Sequence, residues 1–277
     1  MTRRWLQPLG RALARYLSQP LPHYAPAATS SPAALLATLQ PADVLLVEGN
    51  TRVSTAIKYL TQSTWSHAAL YVGDVLVDHH NWENPPVLVE VDMVHGCQAV
   101  PLSKYAAFHT RICRPVGLSE QDRRRVVDYA IARLGQAYDL KNLLDLARYL
   151  LPVLPVPSRF RRQMLSLGSG EPTKAICSTL IAQAFQAVGY PILPRVIRRR
   201  NGSSRSEKDC YTSRHPSLYT PRDFDISPYF QVVKPTLELG FDYRGLQWER
   251  AEEDRREAME SPADGSPLKK GVEPRGA

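Results

Sequence analysis

Short apolar runs separated by polar turns organise the chain from about Ser31 onward. ALLATLQ (34–40) predicts a short helix, ADVLLVEG (42–49) a buried strand ended by Gly49, and STAIKYLTQ (54–62) one or two helical turns. HAALYVG (67–73), VLVDHH (75–80) and PVLVEVD (86–92) read as strands, with turns at Gly73-Asp74 and across 81–86, which predicts an antiparallel meander. QAVPL (98–102) and HTRICRP (109–115) are further short strands. Ser119 opens a helix over 119–134, with Glu120 and Asp122 in its first turn and Gly135 at its end. A second helix is expected over 139–151 and a third over CSTLIAQAFQAVG (177–189), stopped by Gly189. Residues 230–234 supply a closing strand.

Three stretches stand apart from this body. Trp5, Leu6, Leu9, Leu13, Tyr16 and Leu17 recur at helical spacing among Arg3, Arg4, Arg11 and Arg15. Such a basic amphipathic helix suits an anionic membrane surface, and equally a helix packed on the protein's own body. Residues 18–33, rich in Pro, Ala and Ser, read as a linker. Residues 195–213 carry five arginines and few apolar groups after Val196 and Ile197, so a mobile surface loop is expected there, with a polyanion-binding arm as the alternative. The proline-bounded stretch within 143–172 suggests an apolar excursion, and the charged, then Gly/Pro-rich end from 246 to 277 a disordered tail. The expected organisation is therefore 1–33 helix and linker, 34–245 folded domain, and 246–277 tail.

The formal net charge of +8 favours anionic partners without fixing the fold. The four cysteines, Cys97, Cys113, Cys177 and Cys210, show no zinc spacing, and the N-terminus has no continuous apolar core of a signal peptide. No run approaches the roughly 18–20 apolar residues of a membrane span. The expectation is a cytoplasmic protein with reduced thiols, with peripheral membrane attachment as the variant that residues 1–17 would supply.

A thiol becomes a strong nucleophile as thiolate, and a helix start lowers its pKa through backbone N–H groups and the helix dipole. Cys177 alone among the four opens an apolar-periodic helix after the helix-breaking Glu171-Pro172-Thr173. Backbone N–H groups there would also receive an oxyanion. Of the seven histidines, His67 begins a strong strand after a polar turn, but His79, His80, His95 and His109 also fall at strand ends or turns, and position does not choose among them. Glu90 sits within the apolar run Val87-Leu88-Val89-Glu90-Val91. It either shares the inward face with Leu88, where it needs a cationic or N–H partner such as an imidazole, or faces solvent.

The strings PADVLLVEG and VSTAIKYLTQSTWSHAALYVGD, followed in order by LVEV, AVPLSKY, RICRPVGLS, LGQAYDL, ICSTLIAQAFQAVG and TPRDFDISPYF, resemble the YiiX/YebB-like group of NlpC-type, permuted papain-fold cysteine hydrolases over about residues 36–235. The resemblance implies an α+β fold, an antiparallel sheet packed against the helix that bears the nucleophilic cysteine. It implies His67, Glu90 and Cys177 as base, orienting acid and nucleophile, with no metal or organic cofactor needed. Two positions depart from the group's pattern: Ala42-Asp43 stands where Gly-Asp is usual, and Ile176 where an aromatic commonly precedes the cysteine. The expected substrate is peptide-like, cut at an amide or isopeptide bond. A lipid-directed thioesterase or acyltransferase is the alternative, and a binding module with a decayed site the third. No nucleic acid partner is expected.

Overall fold

The computed structural model describes residues 12, 15–22, 24, 26–77, 84–136, 176–200 and 207–246. The chain divides into two units, residues 1–239 and 240–277. The second is described only at 240–246, where Asp242 caps a 3-10 turn at Tyr243–Gly245. The expected helix at 139–151, the excursion within 143–172, the tail from 247 and most of the N-terminal helix lie outside the described residues.

In the first unit, α1 (Pro32–Thr38) starts on Ser31, whose side chain accepts the Ala34 N–H. The strand β1 (Val44–Val47) follows, then α2 (Arg52–Thr61), capped by Thr51 and ended by Gln62 in the left-handed region. Next come β2 (His67–Tyr71), β3 (Pro86–Asp92), β4 (Gly96–Pro101), a 3-10 turn at Leu102–Tyr105, and β5 (Thr110–Pro115). α3 (Glu120–Ile131) is capped by Ser119, which accepts the Asp122 N–H as the sequence predicts. α4 (Ile176–Ala187), β6 (Arg195–Arg200), β7 (Glu207–Thr212), α5 (Pro221–Asp225), β8 (Phe230–Val233) and α6 (Pro235–Glu238) complete the unit.

Six strands form one antiparallel sheet in the order β4-β3-β2-β1-β5-β8. Alternation along each strand sends apolar groups to both faces. Val44, Leu46, Ala68, Leu70 and Val89 join α3 and α4 in one core, while Leu45, Val47, Ala69, Tyr71, Leu88 and Ile112 join α1 and the 3-10 turn in another. This double burial explains why VLLV and HAALY read as nearly continuous apolar runs. α4 is seated by an aromatic cluster: Phe185 meets Phe230 edge-to-face at 5.1 Å, and Phe224 meets Phe230 at 5.5 Å. Burying each such ring is worth about 1.5–3 kcal/mol, enough to fix the helix against β8 and α5.

Two expected elements differ. VLVDHH does not begin as a strand: after Gly73 at φ +71°, residues 74–77 turn back, with Val77 N–H donating to Asp74 C=O at 2.9 Å and Val75 exposed. Residues 195–200 and 207–212 are not loop but the antiparallel strands β6 and β7, paired from Arg195↔Thr212 to Arg200↔Glu207. Val, Ile, Tyr and Thr within them favour extended backbone, and a ladder outside the main sheet requires no buried apolar face to reveal it in sequence. The expected linker is also partly structured at its start, where Pro20 bridges Thr51 and Leu21 N–H donates to Asn50 C=O at 2.8 Å.

Candidate active site

The pair Tyr71↔Leu88 sets the parity of β2 against β3, so His67, Ala69 and Tyr71 share a face with Leu88 and Glu90. Glu90 is 1% exposed. A bare buried carboxylate would be costly, and here every lone-pair direction is used. Oε2 accepts from His67 Nε2 at 2.9 Å and from the Tyr105 hydroxyl; Oε1 accepts from Gln98 Nε2 at 2.9 Å and from Lys104 Nζ. Gln98 is the residue opposite Glu90 in the β3–β4 register, and Lys104 and Tyr105 come from the 3-10 turn that follows β4. Burial pushes the Glu90 pKa up, but hydrogen bonding and charge from His67 and then Lys104 outweigh it and hold the carboxyl well below the usual range.

Cys177 lies in the first turn of α4 and is 4% exposed. Its sulfur is hydrogen-bonded to His67 and to the backbone N–H groups of Ala68 and Ser178. Burial raises the thiol pKa; the imidazolium, with these two N–H groups, more than reverses that and lowers it. The His67 ring, partly exposed, is lowered by burial but raised to about 10 by the Cys177 thiolate and Glu90 together. With Nε2 taken by Glu90, Nδ1 is the ring nitrogen left for sulfur. Opposite shifts on two hydrogen-bonded groups favour a thiolate–imidazolium pair.

The three residues singled out in sequence therefore meet, although position along the chain did not choose His67. Its competitors are engaged elsewhere: His109 Nδ1 with Glu48 at 3.0 Å, and His95 with Asp92 on the surface. His215 caps the 3-10 turn Pro216–Leu218. His23, His79 and His80 lie outside the described residues. Cys97 and Cys113 are buried within the core, and burial, the leading cause in each, raises both thiols. Gln98, Lys104 and Tyr105 were not anticipated as partners of Glu90. AVPLSKY marks two of them, yet nothing local shows that a turn after β4 folds back over β3. Trp65 was also unassigned. It is buried just before His67, and its indole N–H donates to Asp225 at 3.1 Å, while Arg111 pairs with the other oxygen of that carboxylate.

A cleft of about 230 Å³ opens over Cys177 and His67. Val53, Ile57 and Leu60, on one stripe of α2, form an apolar wall with Met93 and Phe108. Gly49 lies at its floor, where its N–H donates to Ser66 Oγ at 2.9 Å; a Cβ there would collide with Ser54 Oγ. Among the described residues, no group of three or more His, Cys, Asp or Glu side chains is arranged to hold a metal ion, and no helix is long and apolar enough to cross a membrane.

Comparison with known proteins gives likenesses of two kinds, to a family and to solved structures. Residues 38–149 match the model of a family described as permuted papain-like amidase enzymes, YaeF/YiiX, of the C92 family. A crystal structure of the metalloprotein YiiX from Escherichia coli O157:H7 is similar with a TM-score of 0.41 and 15% identity, over 70% of this chain and 96% of that one. No curated protein matches. The antiparallel sheet packed against α-helices is the α+β arrangement that the sequence resemblance implies, and over residues 38–149, which hold His67 and Glu90, the chain is similar to permuted papain-like amidases.

Proposed function

We propose that this chain, with its match to permuted papain-like amidases, is a cysteine amidase acting on a peptide or isopeptide bond through Cys177, His67 and Glu90. The observation that carries the reading is that one imidazole hydrogen-bonds both a cysteine at a helix start and a fully buried carboxylate. The Cys177 thiolate attacks the amide carbon, and the carbonyl electron pair moves to oxygen, where backbone N–H groups of the first turn of α4 receive it. As the C–N bond breaks, His67 gives its proton to the departing amine. Water then attacks the thioester while His67 takes a proton from it, and the S–C bond breaks to release the acid and restore the thiolate. Glu90 orients the ring and stabilises its cationic form throughout.

A second reading, a lipid-directed thioesterase or acyltransferase, is favoured by the apolar cleft wall of Val53, Ile57, Leu60 and Phe108, which suits an acyl chain. Peptide amides, acyl esters and acyl thioesters presented side by side to the full chain, with Cys177→Ala and His67→Ala as controls, separate the two. Turnover of amides alone supports the first, and preference for acyl thioesters the second. Should His67→Ala stay folded and keep most of the activity on every substrate, the proposed mechanism is wrong.

A further inference from the structure

The N-terminal segment is fastened to the rim of the cleft rather than trailing from it. Leu17 is 2% exposed, and Ser18 lines the cleft together with Cys177 and His67. Beyond Ser18 the backbone pairs with the residues that lead into α2. Arg52 N–H donates to Gln19 C=O at 3.2 Å, Leu21 N–H donates to Asn50 C=O at 2.8 Å, and Pro20 bridges Thr51. Side chains clamp both ends. The Arg52 guanidinium covers the Tyr16 ring at 4.5 Å, the Lys58 ammonium covers the Tyr24 ring at 4.0 Å, and the Tyr24 hydroxyl donates to Glu48. Glu48 in turn is held by His109 at 3.0 Å and Lys58 at 3.6 Å.

We infer that residues 15–22, with Tyr24, form a wall of the substrate cleft, and that Ser18 sets the size of group admitted to Cys177. Asn50, Thr51, Val53 and Ser54 also line the cleft, so the segment backs onto the stretch that shapes it. A small hydroxyl at position 18 leaves the passage open on that side. A large ring there would occupy it, and loosening the Tyr24 clamp would widen it. The inference takes Cys177 as the reactive nucleophile from the proposed function, but its test reads only the shape of the cleft.

The experiment measures alkylation of Cys177 in the full chain by peptide mapping, with iodoacetamide and with a bulky benzophenone iodoacetamide. In both, sulfur forms the S–C bond and iodide leaves, so the chemistry is shared and only the size differs. Ser18→Trp is expected to slow the bulky reagent about tenfold and iodoacetamide by less than about twofold, as selective crowding of the approach requires. Tyr24→Ala is expected to speed the bulky reagent, and Val75→Trp, on an exposed turn outside the cleft, to change neither. Equal effects on the two reagents, or no effect of either cleft variant, overturn the inference. Thermal melts accompany each variant, and Tyr24→Ala keeps the test open if Ser18→Trp fails to fold. Slow, unselective labelling of Cys177 in the unaltered chain would overturn the nucleophile assignment while leaving the reagent ratio readable.

Discussion

His67 Nε2 and Glu90 Oε2 lie 2.9 Å apart, on neighbouring antiparallel strands and on the same face of the sheet. The contact fixes the ring and commits one nitrogen, so the other is available to Cys177. Since Glu90 is itself gripped by Gln98, Lys104 and Tyr105, the orientation of the imidazole is set by a network drawn from three elements.

Glu90→Gln should therefore disturb both stability and chemistry. An amide offers one acceptor oxygen and turns two N–H donors toward groups that are themselves donors. Breaking a buried charge network of this kind costs about 3–5 kcal/mol, measured by denaturant unfolding. In the unaltered chain the Glu90 contribution is present above the ordinary carboxylate pKa and is lost as pH falls through the depressed folded-state value; the variant should lack that acid-side slope. Per folded molecule, activity should survive at a reduced level. A variant as stable as the parent, with an unchanged pH profile, would show that the carboxylate orients nothing.

The thiolate–imidazolium pair predicts a bell-shaped activity profile whose limbs belong to the pair. Activity should fall in acid as pH drops through the lowered Cys177 value, and in base as pH rises through a His67 value of about 10. Near neutral pH, limiting iodoacetamide should label Cys177 at least about tenfold faster than Cys97 or Cys113, whose thiols are buried and raised. Mass-spectrometric mapping reads this directly, and equal labelling of the three sinks the assignment.

Asp43 is 0% exposed and is paired bidentately with Arg114, at 3.0 Å from Nε and 2.7 Å from Nη2. Arg114 also donates to Thr38 C=O at 2.7 Å, tying α1 to the sheet. Burial raises the Asp43 pKa in spite of the guanidinium, so its ionisation opposes folding. Its favourable contribution is complete below the ordinary carboxylate value and is lost as pH rises through the raised one. Arg114→Ala should cost about 3–5 kcal/mol near neutral pH and less in acid, where the carboxyl is neutral. Unfolding at both pH values tests the sign, and a penalty independent of pH would contradict it. Since neither residue lines the cleft, activity per folded molecule should remain.

Ala42 has φ +70° and is fully buried. A Cβ in the left-handed region costs about 1–2 kcal/mol, which accounts for the glycine usual at this position in the resembled group. Ala42→Gly relieves that strain but forfeits about 0.8 kcal/mol of methyl burial and some chain entropy, so the net change should lie within about 1 kcal/mol. Ala68→Gly, equally buried but in ordinary strand geometry, has no strain to relieve and should cost about 1–2 kcal/mol. If the two variants destabilise equally, the left-handed strain at Ala42 is not real.

Local periodicity carried much of the fold. Alternation and apolar runs marked β1 to β5, Ser119 marked the start of α3, and the apolar stripe after Glu171-Pro172-Thr173 marked α4 with Cys177 at its opening. Each of these is a property of neighbouring residues, because helix and strand periods are set by the backbone within a few positions. The paired strands 195–200 and 207–212 escaped this reading, since their sequences hold many charged and few apolar residues, and VLVDHH misled it, since the turn at Gly73 overrides a β-favouring composition.

The sequence by itself determined which groups were competent: a cysteine at a helix start, an acid inside an apolar run, and a set of histidines at strand ends. Tertiary structure decided which of them meet. The β2–β3 register put Glu90 inward rather than into solvent and aligned it with His67, while the aromatic seat of α4 brought Cys177 to the same strand end. Those choices rest on pairings between residues far apart in the chain, among them Trp65 with Asp225 and Glu48 with Tyr24 and His109. A one-residue slip in register would have sent Glu90 to the opposite face, and no local pattern encodes that register.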